Sequence, residues 1–316
     1  MTSTGWSGAA CLRCTWALKQ LVVFLTFANV DKPVLEAKPL SNQPMQKSVY
    51  VFGHSENELQ RLIEQSRFFG GLTEQVFLGA GLASGMRVLD VGCGAGDVSF
   101  LAAKHVGASG RVLGMDKSSA SVAVARERAE AAKLQNVTFI EGDVTDLSLE
   151  HSFDAVVGRL VLMYLPDPVA ALRRIATHVR TDGLIVFHEM DATGFRSLPY
   201  SPLFEKCAGW INETCRRGGI ETQMGLKLHQ AFVSAGLPAP QMILGARIEG
   251  GPNSPAYEYV VQTVRSLLPM MEQLGVAKVE EVQIETLAQR MRDEVTSGGG
   301  VIVIPPLVGA WARKPL

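Results

Sequence analysis

The sequence predicts a doubly wound α/β fold, in which helices cover both faces of a parallel sheet. From residue 86 to residue 191, short β-branched and apolar runs alternate with helical segments, as consecutive βαβ units require. A turn of alternating glycines follows the first run, and the next two runs end in acidic residues. In such a sheet, ligands bind at the carboxyl ends of the strands, so these residues mark the predicted site.

The amino-acid composition excludes several classes of protein. The chain has 316 residues, enough for one large domain or one domain with insertions, and its net charge is −1 at pH 7. Because its basic residues are not clustered, the sequence gives no sign of nucleic-acid binding. Five cysteines, an odd number without framework spacing, indicate a reducing, cytoplasmic setting. No apolar run approaches the ~20 residues that span a membrane, so we expect no stable membrane insertion.

Residues 1–44 differ from the rest of the chain. Cys11 and Cys14 form a CxxC pair without a second pair or a neighbouring histidine, so we predict no metal site there. The apolar run Leu21–Ala28 resembles a signal-peptide core, but no small-residue cleavage site follows it. Two interpretations stay open: translation starts at Met45 and the extension is not made, or the extension is a poorly ordered arm.

The next segment, residues 48–83, predicts a helical layer ahead of the sheet. Ser55 begins a capping-box pattern, and the segment Glu58–Phe69 is amphipathic. A second helix is predicted over Leu72–Ala80, ending near the glycines that follow. His54, in the loop before these helices, is either a candidate base or a polar loop residue.

The stretch Arg87–Ser99 is organised as strand, glycine turn and helix. Gly92, Gly94 and Gly96 follow the strand, where the backbone must turn sharply and let a ligand approach without a Cβ in the way. The amides at the start of the next helix, Val98–Val106, can receive an anionic or polar group.

The glycine spacing decides which ligand fits this turn. A dinucleotide fingerprint, G-x-G-x-x-G, would place its third glycine at position 97, where this chain has Asp97. Asp90, two residues before the first glycine, would repel a pyrophosphate but suits a cationic or amine-bearing ligand. S-Adenosylmethionine carries an ammonium and a sulfonium group, so it fits better than NAD. Cys93 lies within the turn, and we interpret it as a small turn residue and not as a nucleophile.

Two further strands end in carboxylates. Arg111–Asp116 is followed by an alanine-rich helical segment, Ser119–Lys133. At the strand end, Asp116 can accept two hydroxyl groups in a bidentate manner, as a ribose offers them; the alternative is that it caps the next helix. Asn136–Asp143 is the third strand, and Asp143 is either a ligand-binding group or an acid of the turn.

The fourth and fifth strands are predicted at Phe153–Arg159 and Gly183–Asp191. His188, Glu189 and Asp191 lie at the carboxyl end of the fifth strand. Because side chains alternate along a strand, at most one of His188 and Glu189 points into the site. We take Glu189 as the candidate that orients or deprotonates a substrate; the alternative is that both residues brace the sheet.

The C-terminal part adds helices to a minimal core. Residues 192–240 predict two helices, and Gln241–Ile248 predicts a strand. Residues 252–297 predict a helical insertion of two helices, roughly Ala256–Leu274 and Val279–Val295. Its apolar, methionine-rich face suits core packing, an acceptor pocket or a dimer surface. A last strand is predicted within residues 300–311.

Three stretches together resemble a known family. Val88–Gly96 is similar to motif I of the class I S-adenosylmethionine-dependent methyltransferases, in the form found in small-molecule enzymes of the ubiquinone/menaquinone type. Glu141–Val144 resembles the family's adenine-reading segment, and Arg159–Pro168 resembles its motif IV, with Tyr164 where relatives often carry histidine. The resemblance covers about residues 48–314.

The resemblance implies a Rossmann-like, doubly wound sheet of seven strands, mostly parallel, with an antiparallel last strand. It implies a domain at 45–316 that contains a helical N-terminal lid at 48–83 and a cofactor-binding core at 86–191. The helices at 192–240 and 252–297 would cover the substrate, the latter inserted before the last strand. The implied contacts of the cofactor are Tyr50, Gln65, Asp90, Gly92, Cys93, Gly94, Gly96, Asp116, Lys117, Asp143, Val144 and Arg159. For Tyr50 and Gln65, the alternative is that they only hold the lid on the core.

The implied reaction is transfer of a methyl group from S-adenosylmethionine to a small-molecule acceptor, giving S-adenosylhomocysteine. Its acceptor atom, oxygen, nitrogen or carbon, stays open. A sulfonium methyl is already activated, so proximity and orientation matter most, and a base is needed only if the acceptor loses a proton. The alternatives are a catalytically silent protein that binds the cofactor, a protein-directed methyltransferase and a nucleotide-binding oxidoreductase. A homodimer is compatible with the sequence.

Overall fold

A computed structural model describes residues 56–149 and 152–315, with side-chain detail for all of these except residues 56–64 and 67. The described residues belong to one compact unit. The predictions for residues 1–44, Tyr50 and His54 lie outside the described part of the chain. Within that part, no helix is both long and apolar enough to cross a membrane.

The main sheet has seven strands in the order β3-β2-β1-β4-β5-β10-β7. The five strands from β3 to β5 run parallel, and β10 runs antiparallel to both of its neighbours. The predicted seven-stranded, mostly parallel sheet with an antiparallel last strand is therefore confirmed. The strands are β1 (Arg87–Val91), β2 (Arg111–Asp116), β3 (Val137–Glu141), β4 (Phe153–Arg159), β5 (Val179–Met190), β7 (Gln241–Gly245) and β10 (Leu307–Arg313).

Helices pack on both faces of this sheet through two separate apolar clusters. One cluster joins α2, α3 and the C-terminal half of α1 to the sheet, and the other joins α4, α5, α6, α7 and α9. Residues in the middle of β1 and β4, such as Leu89 and Val156, are inaccessible to solvent, as is expected of strands covered on both faces. The helices are α1 (Glu56–Ala80), α2 (Asp97–Val106), α3 (Ser119–Ala131), α4 (Pro168–Thr177), α5 (Pro202–Arg217), α6 (Met224–Ser234), α7 (Ala256–Gln273), α8 (Val279–Val282) and α9 (Ile284–Ser297).

Two helix predictions were wrong in opposite senses. The N-terminal layer is one continuous helix, α1, because Gly70 and Gly71 lie inside it and neighbouring residues such as Phe69 and Thr73 are buried against the core. Tertiary packing thus overrides the low helix propensity of the glycine pair. In contrast, the single helix predicted over 279–295 is broken into α8 and α9 at Gln283, whose φ of 49° is left-handed.

A small second sheet was not predicted. It has three antiparallel strands in the order β6-β9-β8, namely β6 (Arg196–Leu198), β8 (Ile248–Gly250) and β9 (Val301–Val303). The predicted last strand is therefore two strands in two sheets, separated by Pro305 and Pro306, which have no N–H to donate to a ladder. The strand predicted over Gln241–Ile248 also ends early, because Ile248 joins the small sheet.

Candidate functional site

The glycine turn, residues 92–96, lies at the carboxyl end of β1. Gly92, Gly94 and Gly96 have φ values of 64°, 52° and 91°, a region that side chains rarely tolerate. A Cβ on Gly92 would come within 2.6 Å of Val161 Cγ2. The turn is thus fixed both by its backbone conformation and by the loop that follows β4. Cys93 is buried and burial raises the pKa of its thiol, which agrees with a turn residue and not a nucleophile.

Asp90 is a buried carboxylate at the end of β1, only 1% exposed. Its Oδ2 accepts a hydrogen bond from Ser99 Oγ at 2.6 Å, and its Oδ1 is buried with no partner among the described residues. Burial raises the pKa of Asp90 to about 7, against the hydrogen bond from Ser99 and the charge of Arg159, which lower it. An unpartnered buried carboxylate oxygen is costly, so it indicates a place for a donor-bearing ligand.

Asp116 ties the end of β2 to the glycine turn. Its Oδ2 accepts from the Gly94 amide and its Oδ1 from the Ser118 amide, both at 2.9 Å. A carboxylate has about four lone-pair sites, so each oxygen keeps capacity for a ligand hydroxyl. The ribose role of Asp116 stays a prediction. Lys117, the next residue, is exposed.

Asp143 behaves as the acid of a turn. Its Oδ1 accepts from the Thr145 amide at 2.8 Å and from Thr145 Oγ1 at 2.7 Å, and it caps the short 3₁₀ helix Val144–Asp146. Asp143 is exposed, whereas the Val144 side chain is buried. The second oxygen of Asp143, together with the backbone at Val144, stays available for the predicted contact with adenine.

Asp97, which replaces the third glycine of a dinucleotide fingerprint, has a structural partner. Arg128 on α3 reaches Asp97 Oδ1 through Nη2 at 2.7 Å and the Ala95 carbonyl through Nη1 at 2.5 Å. The ion pair and the second hydrogen bond of Arg128 connect α3 to the glycine turn. Sequence reasoning missed Arg128, since its separation from Asp97 follows no local periodicity.

A buried polar cluster of Thr73, Arg159 and His188 joins α1 to the ends of β4 and β5. Thr73 Oγ1 accepts from Arg159 Nη1 at 3.1 Å and lies 3.2 Å from His188 Nδ1. Burial, together with the charge of Arg159, lowers the pKa of His188 to about 3. His188 is therefore a neutral imidazole at physiological pH, and it braces the sheet against α1.

Glu189 is fully buried and is not among the residues that line the cavity described next, and its role toward a substrate stays a prediction. Its Oε1 accepts from the Val161 and Leu162 amides at 2.9 and 2.8 Å, and its Oε2 from the Met163 amide at 3.4 Å. Burial raises the pKa of Glu189 to about 7, although the three amides lower it. Strand alternation does separate it from His188, as predicted.

A largely apolar cavity lies beside these strand ends. The space inside it and at its mouth, open solvent included, is about 570 Å³. The described residues that line it include two tyrosines and a cysteine but no aspartate, glutamate, histidine, lysine or arginine. Gln65, predicted near the cofactor, lies in this wall. The lining is Gln65, Leu160, Met163, Tyr164, Met190, Ala192, Phe195, Ile211, Cys215, Thr222, Tyr259, Val260, Thr263 and Pro305.

Comparison with known proteins supports the resemblance stated above. Residues 82–223 match a family model described as a methyltransferase domain. The chain is 33% identical over 134 residues to a demethylmenaquinone methyltransferase of Staphylococcus aureus, covering 42% of this chain and 52% of the relative. It is 38% identical over 105 residues to the aklanonic acid methyltransferase DauC of a Streptomyces species, covering 33% and 48%. The chain thus spans about half the length of these relatives.

A solved structure shares the fold. The YcgJ protein from Bacillus subtilis aligns with a TM-score of 0.52 and 20% identity, covering 78% of this chain and 97% of that one. At this identity the likeness concerns the fold alone. It agrees with the Rossmann-like arrangement of the main sheet described above.

Proposed function

We propose that this chain, whose residues 82–223 match a methyltransferase domain, transfers a methyl group from S-adenosylmethionine to a small, uncharged acceptor. The cofactor supplies an activated methyl group. The protein's own residues hold the cofactor at the carboxyl ends of β1 and β2, and the apolar cavity receives the acceptor. The observation that carries the proposal is the buried Oδ1 of Asp90, which has no partner in the residues described and lies beside a left-handed glycine turn.

The residues at the glycine turn fit this cofactor. A buried carboxylate oxygen without a donor suits an ammonium group, and S-adenosylmethionine has one on its methionine part. Asp116, held at the next strand end by two amides, suits a ribose. Arg159 at the end of β4 lies close enough to Asp90 to lower its pKa, so opposite charges flank the same space, as an amino-acid zwitterion requires.

The chemistry of the cavity supports a neutral, flat acceptor. Tyr164, Tyr259 and Phe195 offer aromatic surface, while Met163 and Met190 adapt to an irregular shape. Charged acceptors would lose hydration without an opposite charge to replace it. The first relative is named for a demethylmenaquinone substrate, and a quinol ring has these properties. We further propose that the reaction takes place in the cytoplasm, with no nucleic-acid partner.

Calorimetric titration of the full-length chain tests the cofactor first. S-Adenosylmethionine and S-adenosylhomocysteine should bind with micromolar dissociation constants, whereas NAD and NADP should show no heat of binding. Absence of binding by the first pair would overturn the proposal.

Methyl transfer is then tested with S-adenosylmethionine labelled in its methyl group and 1,4-dihydroxynaphthalene as a neutral probe acceptor. Phosphoethanolamine serves as the charged comparison. The proposal expects label in the naphthalene product alone. Cofactor binding without transfer to a panel of neutral aromatic acceptors would favour a catalytically silent protein instead.

A further inference from the structure

One loop connects the glycine turn with the apolar cavity. We call residues 160–164, which follow β4, the acceptor loop. Val161 in this loop packs on Gly92, where an added Cβ would lie 2.6 Å from Val161 Cγ2. Leu160, Met163 and Tyr164 line the cavity. A shift of this loop would therefore change the cofactor side and the acceptor side together.

The backbone of the acceptor loop is not a regular element. Leu160 has a φ of 56°, a left-handed conformation that is strained for a residue with a side chain. Its amide is held by the His188 carbonyl at 3.0 Å. The next three amides, those of residues 161–163, lie at the N-terminus of the 3₁₀ helix Leu162–Tyr164, where amides have no partner within the helix. Another group must fix this conformation.

Glu189 supplies that group. Its carboxylate accepts from three consecutive amides of the acceptor loop, those of Val161, Leu162 and Met163, at 2.9, 2.8 and 3.4 Å. The carboxylate is inaccessible to solvent, and no basic side chain of the described residues forms an ion pair with it. The three amide donors therefore offset the cost of removing this carboxylate from water.

We propose that Glu189 is a positioning residue, which sets the acceptor loop so that the cavity wall and the glycine turn are aligned for transfer. The proposal rests on the proposed function for its kinetic consequence, but its structural part stands without it. It excludes Glu189 as the base that deprotonates the acceptor, because its carboxylate is buried, accepts from three loop amides and does not line the cavity.

Two substitutions distinguish these roles. Glu189→Gln keeps an oxygen that accepts from the Val161 and Leu162 amides and loses only the 3.4 Å bond to Met163. Glu189→Ala removes all three bonds. A base cannot be replaced by glutamine, whereas an acceptor of two amide hydrogen bonds largely can. Glu205→Gln is the matched control, since Glu205 accepts from the amide and hydroxyl of Ser197 in β6, outside the acceptor loop.

Hydrogen–deuterium exchange of the full chain tests the structural part without any activity. The peptide that spans the acceptor loop should exchange as slowly in Glu189→Gln and Glu205→Gln as in the wild type. Glu189→Ala should exchange there about 10-fold faster or more. Equal exchange in the alanine variant, with the rest of the chain still protected, would overturn the proposal. If the alanine variant unfolds globally, loss of protection in the glutamine variant overturns it instead.

Steady-state kinetics test the functional part. With 1,4-dihydroxynaphthalene as the probe, Glu189→Gln should keep kcat within about 3-fold of the wild type and leave the pH profile unchanged. Glu189→Ala should raise KM for the probe more than KM for the cofactor. A 100-fold fall in kcat for Glu189→Gln, with intact exchange protection, would identify a base and overturn the proposal. No turnover by the wild type would instead refute the proposed function and leave the exchange result standing.

Discussion

Carboxylates at neighbouring strand ends have different surroundings, and these surroundings decide what each can do. Asp90 keeps one buried oxygen with no partner in the described part of the chain, so it is the group best prepared for a cationic ligand. Asp116 and Glu189 hold loop amides, and Asp143 caps a short helix. That each residue lies at or just beyond the carboxyl end of a parallel strand does not by itself separate these roles.

Replacement of Asp90 tests its role toward the ligand. Asp90→Asn removes the negative charge but keeps the shape and an acceptor for Ser99. We expect affinity for S-adenosylhomocysteine to fall about 10- to 100-fold, as loss of a hydrogen bond to a charged group predicts. Calorimetric titration measures this change. Asp154→Asn is the control, since Asp154 pairs with Arg180 at the opposite end of β4, and an equal loss in both variants would contradict the assignment.

The raised pKa values of Asp90 and Glu189, both about 7, predict a pH dependence of stability. Between about pH 4 and pH 7 the folded chain binds more protons at these groups than the unfolded chain does. Their contribution to the free energy of unfolding therefore falls as the pH rises through this window and is constant above it. Each unit of pKa shift corresponds to about 1.4 kcal/mol, so each group contributes a few kcal/mol at most.

Urea unfolding of the wild type and of Asp90→Asn at pH 5, 6, 7 and 8 measures this contribution. Other titrating groups, including His188, cancel in the difference between the two proteins. The variant should gain stability relative to the wild type from pH 5 to pH 7 and no more from pH 7 to pH 8. A difference independent of pH would show that the pKa of Asp90 is not raised.

At the scale of elements, α1 shows how packing decides a boundary. Its glycine pair at positions 70 and 71 indicates a break, yet the helix continues because the residues around the pair are buried. The reverse happens at Gln283, where a left-handed residue separates α8 from α9 although the apolar periodicity runs through. Local propensity is worth less than 1 kcal/mol per residue, so a few buried side chains outweigh it.

Alanine substitutions in α1 test this view. A Cβ on Gly71 would meet nothing within 4 Å, so Gly71→Ala should stabilise the protein by about 0.5–1 kcal/mol through helix propensity alone. A Cβ on Gly79 would lie 3.1 Å from the Trp311 ring, so Gly79→Ala should gain less or lose stability. Thermal unfolding compares the two. A melting temperature for Gly71→Ala below that of the wild type would contradict a continuous helix.

At the scale of the whole molecule, one buried hydroxyl couples the N-terminal helix to the sheet. Thr73 on α1 contacts both Arg159 at the end of β4 and His188 on β5. These three elements also surround the candidate site. This polar cluster therefore links α1 to the carboxyl ends of β4 and β5, in addition to the apolar packing of α1 on the sheet.

Removal of this hydroxyl should destabilise the whole domain. Thr73→Val keeps the shape but leaves His188 Nδ1 and Arg159 Nη1 without their partner, at a cost of about 1–3 kcal/mol for each buried group. Thr73→Ser, which keeps the hydroxyl, should lose only about 1 kcal/mol for the missing methyl group. Urea unfolding at pH 7 measures both. Equal losses in the two variants would show that packing, and not the polar cluster, joins α1 to the sheet.

The sequence by itself determined the strands and helices from β1 to β5, the glycine turn and the carboxylates at the strand ends. These features follow from local rules: apolar runs form strands, and glycine adopts left-handed turns such as those at Gly92 and Gly96 without steric cost. Tertiary structure decided which carboxylate oxygens remain free. Glu189 accepts from loop amides that lie far from it in sequence, whereas no described group reaches Oδ1 of Asp90. Both outcomes depend on tertiary contacts, which no local sequence pattern encodes.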